Sequence, residues 1–467
     1  MSPLLSRRQM LGGLAGCGLL GSSMLGGGRP ANGWNASAGN NSFGEAVRHA
    51  ASSGQPLRIA AGTLLDVAEP VRIERARVVV EAAGGVVRAA RGLIGPWVTF
   101  VDCDVRFAGP LAFQGWETEA EFWRWALASL AQHDGRDPPY SASIWPALLF
   151  QGGNVEIDGL IGTRSRDGAA ARNLVTLEDC ASPVVRNVRF TGFFSADDGD
   201  GPPLGRYCPA IRIDGGRAPL IEECHARQCG QLLLAQRGST GGRAVGGSST
   251  FTKDNGIYIS SGEGWTVTGG EHRRTRGYGV KTRGSFNTVE NVLVEDTSSG
   301  IGQTGRGVAL DRHGANGRGN RCIGNTVRRY SGYGYSFAQV TGLGGPAGGA
   351  FQRDHLFSRC VAEASGPAQR HAAVRAIYVG GGSRIEDVTV NGFRGTAPLM
   401  RSWAAIIGGP GAGAPAPRIE AQMNFRDVSG VTRPLRLQNA GPARLQIRAE
   451  GGRELVDVVN SAAPQLL

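Results

Sequence analysis

Asn287-Thr-Val-Glu-Asn-Val-Leu-Val-Glu-Asp296 alternates apolar with polar residues and is punctuated by asparagine and aspartate. That two-residue period belongs to half-buried strands, each too short to be stable alone. Similar phrases recur at Asn154-Val-Glu-Ile-Asp-Gly159, Val185-Arg-Asn-Val-Arg-Phe-Thr-Gly192, Trp265-Thr-Val-Thr-Gly-Gly270, Asn320-Arg-Cys-Ile-Gly-Asn325 and Arg384-Ile-Glu-Asp-Val-Thr-Val-Asn-Gly392. Spacings of roughly 20 to 40 residues fit coils of three strands stacked about 4.8 Å apart, with loops inserted where the spacing stretches. An all-β solenoid is therefore expected, with about a dozen coils between Val67 and Val459. Asn287, Asn291, Asn320 and Asn325 are placed to form ladders whose amides bond up and down the stack.

Composition agrees. Of 467 residues 74 are glycine, while aromatics reach only 7% and charged residues 19%. The glycines follow no three-residue period, which excludes collagen, and glycine on this scale is too costly for a helical bundle.

At the N-terminal end, Phe43-Gly-Glu-Ala-Val47-Arg-His-Ala50-Ala51 carries one apolar helical face. It leads into Gly54-Gln-Pro-Leu57-Arg-Ile59-Ala-Ala-Gly62-Thr63-Leu64. A short capping helix followed by G-x-P-L-x-I-x-A-G-T-L resembles the entry to a right-handed parallel β-helix of the pectate-lyase-like superfamily. The resemblance implies one single-stranded right-handed parallel β-helix over residues 39–467 behind an N-terminal cap. Gly115 to Trp145 interrupts the repeats and reads as a small helical insertion over about 115–145, rich in tryptophan (Trp116, Trp123, Trp125, Trp145).

Residues 1–38 resemble a twin-arginine export leader: Ser6-Arg7-Arg8, a glycine-rich apolar stretch to Met24, and Ala36-Ser37-Ala38 as a small-residue cleavage site. This implies a periplasmic or secreted protein. Leu14-Ala15-Gly16-Cys17 has the look of a lipoprotein box and supplies the minor alternative of a lipid anchor. No stretch reaches the ~18 apolar residues of a spanning helix, so no stable membrane span is expected after leader removal. The net charge of +11 suits an anionic partner. Nucleic acid is not expected, because no basic run is interleaved with aromatics and no zinc spacing appears. The eight cysteines show no regular spacing, which reads as buried thiols rather than a disulfide framework.

A parallel solenoid stacks equivalent positions into columns. Gly256-Ile-Tyr-Ile259, Gly279-Val-Lys-Thr282 and Gly307-Val-Ala-Leu310 align by their glycine-apolar starts. Ile257, Val280 and Val308 then point inward, with Tyr258 beside Lys281 and Ala309, and Ser260 beside Arg283 and Asp311. Arg274 and Arg276 lie just ahead of Lys281. A cluster of Lys281, Arg274, Arg276 and Arg283 is expected to depress the lysine pKa and to dock a carboxylate, as β-elimination of a uronate requires. Tyr258, Arg274, Arg276, Arg283 and Asp311 are the expected substrate-binding residues.

Gly279-Val-Lys-Thr282 with Asn287, followed by Leu310-Asp311-Arg312-His313-Gly314, resembles the V-K-S…N and L-R-H-G phrases of the β-helical alginate lyase and chondroitinase B family. The resemblance covers about 50 residues. It implies Lys281 as the base, with Arg312 and His313 on the acid side. The acidic residues that hold calcium in that family are replaced by arginines, so no cofactor or metal is expected.

Two other readings stay open. Asp197-Asp-Gly-Asp200 resembles the paired aspartates of polygalacturonase-type glycoside hydrolases, although neighbours on a strand face opposite ways. In layout, a leader followed by one long solenoid, the chain also resembles β-helix proteins of colanic-acid-type exopolysaccharide clusters, which implies assembly, export or binding without cleavage. The leading expectation is a polysaccharide lyase acting on an anionic, uronate-containing polymer.

Overall fold

The computed structural model describes residues 34–35, 42–90, 93, 95–115, 146–163, 173–192, 209–304, 318–337, 354–364, 371–377, 383–395, 403–408, 418–431, 433–450 and 455–467. Every strand pairing among them is parallel, and the strands wind into a right-handed β-helix with three walls. One turn of the coil reads Leu220–Glu222 on the first wall, His225–Arg227 on the second and Gln231–Gln236 on the third. Among the described residues five long strands, Asp104–Gln114, Asn154–Thr163, Arg384–Asn391, Ile419–Arg426 and Ala443–Ala449, bend across the first two walls. Among the described residues the third wall is a sheet of 14 strands from Val71–Glu74 to Val456–Val459.

The core is a set of inward columns. On the third wall Val71, Val98, Leu148, Val175, Ile211, Leu233, Ile257, Val280, Ile301, Tyr335, Val374, Ala405 and Leu435 follow one another in register and are all buried. No coil closes a core by itself; each buries its apolar side chains against its neighbours. The helix Phe43–Ser53 seals the N-terminal end with Phe43, Ala46, Val47 and Ala50. Ser42 caps it by accepting from the Glu45 N–H at 3.2 Å, and Gly54 ends it at φ 68°. Trp34–Asn35 already pairs with Leu57–Ile59, so pairing starts inside the stretch read as the leader. The helical insertion lies outside the described residues.

The corners differ. Between the first and second walls the chain turns in two residues, the first left-handed: Asn187, Glu223, Asn291 and Arg359 have φ of 48 to 55°. Gly246, Gly269 and Gly324 occupy the same corner. The second residue of the turn points inward and is buried, as at Val188, Cys224, Val292, Asn325 and Cys360. Every long connection instead borders the third wall, as 164–174, 193–208, 305–320, 338–355 and 409–418 do. Asn291 is therefore a corner residue and not a ladder rung.

The ladder runs through Asn287 and Asn320. The Asn287 Oδ1 accepts from the Trp265 N–H at 3.0 Å, and the Asn320 Oδ1 accepts from the Asn287 N–H at 2.8 Å. His355 Nδ1 continues it, 3.2 Å from the Asn320 nitrogen. Asn325 is buried in another column, where it accepts from the Val292 N–H. Cys103, Cys180, Cys224, Cys229, Cys322 and Cys360 are free and buried. Burial pushes the Cys180 and Cys224 thiols up to about 12, which leaves them inert.

Candidate functional site

The outward column of the third wall carries the chemistry. It reads Arg212, Leu234, Tyr258, Lys281, Gly302, Ser336, Arg375, Ile406, Arg436 and Asp457, one residue per coil. The expected pairing of Tyr258 with Lys281 is present. The next partner is different. Ser299–Thr304 forms the following coil, so Gly302 stands beside Lys281 and Thr304 beside Arg283, where Ala309 and Asp311 were expected. Gly307–Leu310, Asp311, Arg312 and His313 lie outside the described residues, as do Asp197, Asp198 and Asp200.

Cations rest on aromatic rings along this column. Lys281 Nζ is 5.4 Å from the centre of the Tyr258 ring and 5.1 Å from that of Tyr278. Arg283 Cζ lies 5.4 Å from the Tyr258 ring, Arg375 Cζ 5.2 Å from Tyr333, and Arg436 Cζ 4.1 Å from Trp403. The negative ring faces attract these groups. Tyr258 is 3% exposed, so it supports the two cations from beneath instead of meeting a ligand itself.

Gly302 creates a gap in the column that Tyr278 fills. A Cβ at Gly302 would come within 2.8 Å of the Tyr278 ring. Past that gap the phenol hydrogen-bonds Ser336. Burial pushes the Tyr278 pKa above its ordinary value, opposed by the Ser336 bond and the charges of Arg375 and Arg283, so the phenol stays protonated at neutral pH. Arg375 Nη1 donates to the Tyr333 hydroxyl at 3.3 Å, and the His371 ring packs on Tyr333 at 4.9 Å.

Arg283, Arg375 and Arg436 combine a ring contact on one wall with the absence of a counter-ion among the described residues. Several other wall arginines are matched, Arg58 with Glu81, Arg186 with Glu222, Arg328 with Glu363 and Arg329 with Asp296, while others such as Arg243 and Arg321 also have no carboxylate within ion-pair distance among the described residues. Among the described residues Arg283, Arg375 and Arg436 have no carboxylate within ion-pair distance, and Nε of both Arg283 and Arg436 is buried without a hydrogen-bond partner.

The anticipated cluster of four cations around Lys281 is not what forms. Arg274 has φ 52° at the corner between the second and third walls, and its guanidinium lies 4.9 Å from the Phe251 ring. Arg329 above all, with Arg274 and Arg273, holds the Asp296 carboxyl below its usual range. Arg276 is exposed near the same corner. Ahead of Lys281, where the lyase family places calcium ligands, Arg273 engages both Glu271 and Glu295. These residues do not fit calcium. Among the described residues no group of three or more His, Cys, Asp or Glu stands together as a metal site.

Sequence reasoning missed Tyr278, Ser336, Tyr333, Arg375 and Arg436. Only the glycine-tyrosine phrases Gly277-Tyr278, at the start of a third-wall strand, and Gly332-Tyr333, just ahead of another, signal them.

No protein-family model matches the chain, and no curated protein matches it in sequence. Solved structures do. The catalytic unit of a GH87 α-1,3-glucanase from Streptomyces thermodiastaticus is 14% identical over 86% of this chain and 69% of its own, with a TM-score of 0.47. The A-module of a mannuronan C-5 epimerase from Azotobacter vinelandii is 9% identical over 92% of this chain and 100% of its own, with a TM-score of 0.44. The Dettilon tailspike protein is 14% identical over 92% of this chain and 67% of its own, at 0.43. At these identities and scores no activity is transferred. Among the described residues no helix is long and apolar enough to cross a membrane.

Proposed function

We propose that the third wall binds an anionic, uronate-containing polysaccharide along the coil axis and cleaves it by β-elimination. The observation that carries this reading is the row of ring-mounted cations without carboxylate partners: Arg283, Arg375 and Arg436 share one wall with Lys281. Placing like charges along one column is unfavourable until an anion lies among them. Lys281 and Arg375 are three rungs apart and Arg375 and Arg436 two, about 14 and 10 Å at the usual strand spacing. A linear polymer that repeats its charge matches such a row.

In the proposed reaction Arg283 and Arg375 neutralise the uronate carboxylate, which acidifies the adjacent C–H bond. Lys281, in its neutral form, takes that proton. The C–H electron pair becomes the new double bond, the C–O bond to the leaving sugar breaks, and that oxygen takes a proton. Tyr278 is the proposed donor from geometry, because burial keeps its phenol protonated; Arg312 with His313 is the donor proposed from the family resemblance. The reading also makes the protein periplasmic or secreted through the leader at residues 1–38.

A second reading, binding or assembly without cleavage, is favoured by the two rings beside Lys281, which attract its charged form. The test is ultraviolet absorbance from unsaturated uronate across a panel of acidic polysaccharides. Absorbance supports the lyase. Binding without absorbance or new reducing ends supports the second reading, and new reducing ends without absorbance overturn elimination in favour of hydrolysis.

A further inference from the structure

A cleft of about 750 Å³ lies apart from this row, at the corner between the third and first walls. It spans the coils of Val175–Glu178, Pro209–Asp214 and Gln231–Gln236 and is lined by Asp179, Gly215, Gly216, Arg217, Arg237 and Thr240. Its size is that of sites that take small molecules. Gly215 and Gly216, at φ 72° and 74°, form a floor without side chains, and the Asp179 carboxylate lies over Gly215 where a Cβ would stand.

The polar groups of the cleft are held yet unspent. Asp214, buried beneath, accepts from Arg212 Nε at 3.0 Å and Nη2 at 2.5 Å and from Gln236 Nε2 at 2.8 Å. With its oxygens so occupied, it meets Arg237 only at 3.8 Å, which orients that guanidinium without using up its donors. The Arg237 side chain is 58% exposed. Arg217 has no carboxylate partner within ion-pair distance among the described residues, and Asp179 has no cation partner. Two arginines, one aspartate and one threonine thus line a cleft with a bare floor.

We infer that this cleft binds a single acidic sugar, its carboxylate on Arg217 and Arg237 and its hydroxyls on Asp179 and Thr240. In calling the ligand a uronate, the inference rests on the proposed polysaccharide. The cleft then seats one residue of the polymer, or its free end, outside the row of cations.

Titration calorimetry with glucuronate, galacturonate and mannuronate monosaccharides, and glucose as the neutral control, tests it. At least one uronate should bind, at least tenfold more tightly than glucose. Arg217→Ala and Arg237→Ala should each weaken that binding tenfold or more, while Arg444→Ala, at an exposed arginine in the strand Ala443–Ala449, leaves it unchanged. Arg217 is exposed and unpaired, so its variant reads the site without disturbing the Arg212–Asp214 pair. The inference fails if no uronate binds, if glucose binds equally, if both cleft-arginine variants bind like wild type, or if Arg444→Ala alone abolishes binding. Polymer cleavage reads the proposed reaction and monosaccharide binding reads the cleft, so failure of either is separately visible.

Discussion

The Tyr258 ring lies beneath two cations of the next coil, with Lys281 Nζ and Arg283 Cζ each 5.4 Å from its centre. Each contact of this kind contributes about 0.5 to 1 kcal/mol at partly exposed sites. Tyr258→Leu should therefore weaken binding of an acidic polymer about 5- to 30-fold, and Tyr258→Phe should retain most of it. Affinity electrophoresis in polymer-containing gels measures this. Equal mobility of the leucine variant and wild type would detach Tyr258 from binding.

Lys281→Ala should abolish elimination, with a loss of about 10² to 10⁴ in rate, typical of removing a general base. Thermal stability should fall only slightly, because the variant loses two ring contacts of about 0.5 to 1 kcal/mol each and no core packing. Tyr278→Phe separates the two donors: a comparable loss assigns the acid to Tyr278, and full activity leaves Arg312 and His313.

His272 predicts a pH dependence of stability. It is fully buried, its Nδ1 bonded to Ser249 at 2.9 Å and its Nε2 without a partner. Burial lowers its pKa from 6.5 to about 4. The unfolded chain then binds the proton first as pH falls, so this group's contribution is intact above pH 6.5 and is lost between 6.5 and 4, about 3 kcal/mol in all. Denaturation midpoints across that window should fall for wild type and change less for His272→Val. Equal slopes would sink the prediction.

The Arg212–Asp214 pair is buried at 2% exposure or less on each side chain. Removing one partner leaves an uncompensated charge, so Asp214→Ala should cost about 3 to 5 kcal/mol. Replacing both residues by leucine should cost much less, because no charge then remains. Urea unfolding of the single and double variants compares the two.

The solenoid could be read from residues 287–296 because short alternating phrases leave a chain no other way to bury its apolar side chains. The Tyr258–Lys281 register was equally visible, since only a short stretch of chain separates Gly256 from Gly279. The next rung was not. Gly307-Val-Ala-Leu310 carries the apolar pattern, yet the strand is Ser299-Gly-Ile-Gly-Gln-Thr304, where a single inward Ile301 suffices. Past that point the connections 305–320 and 338–355 erase any count of register, so Ser336 and Arg375 were hidden as neighbours of Tyr278. Arg274 was misplaced for a different reason: a left-handed backbone turns it off the wall, and no residue type there announces the turn.

The two-residue corner between the first and second walls has a consequence for variation. A residue added at Asn187, Glu223 or Asn291 would have to bulge out of a turn whose second position is packed inside. The edges of the third wall already carry connections of many lengths with the strand register kept. Descendants of this chain can remodel what they grip by exchanging loops along one side, while the opposite ridge acts as an invariant spine.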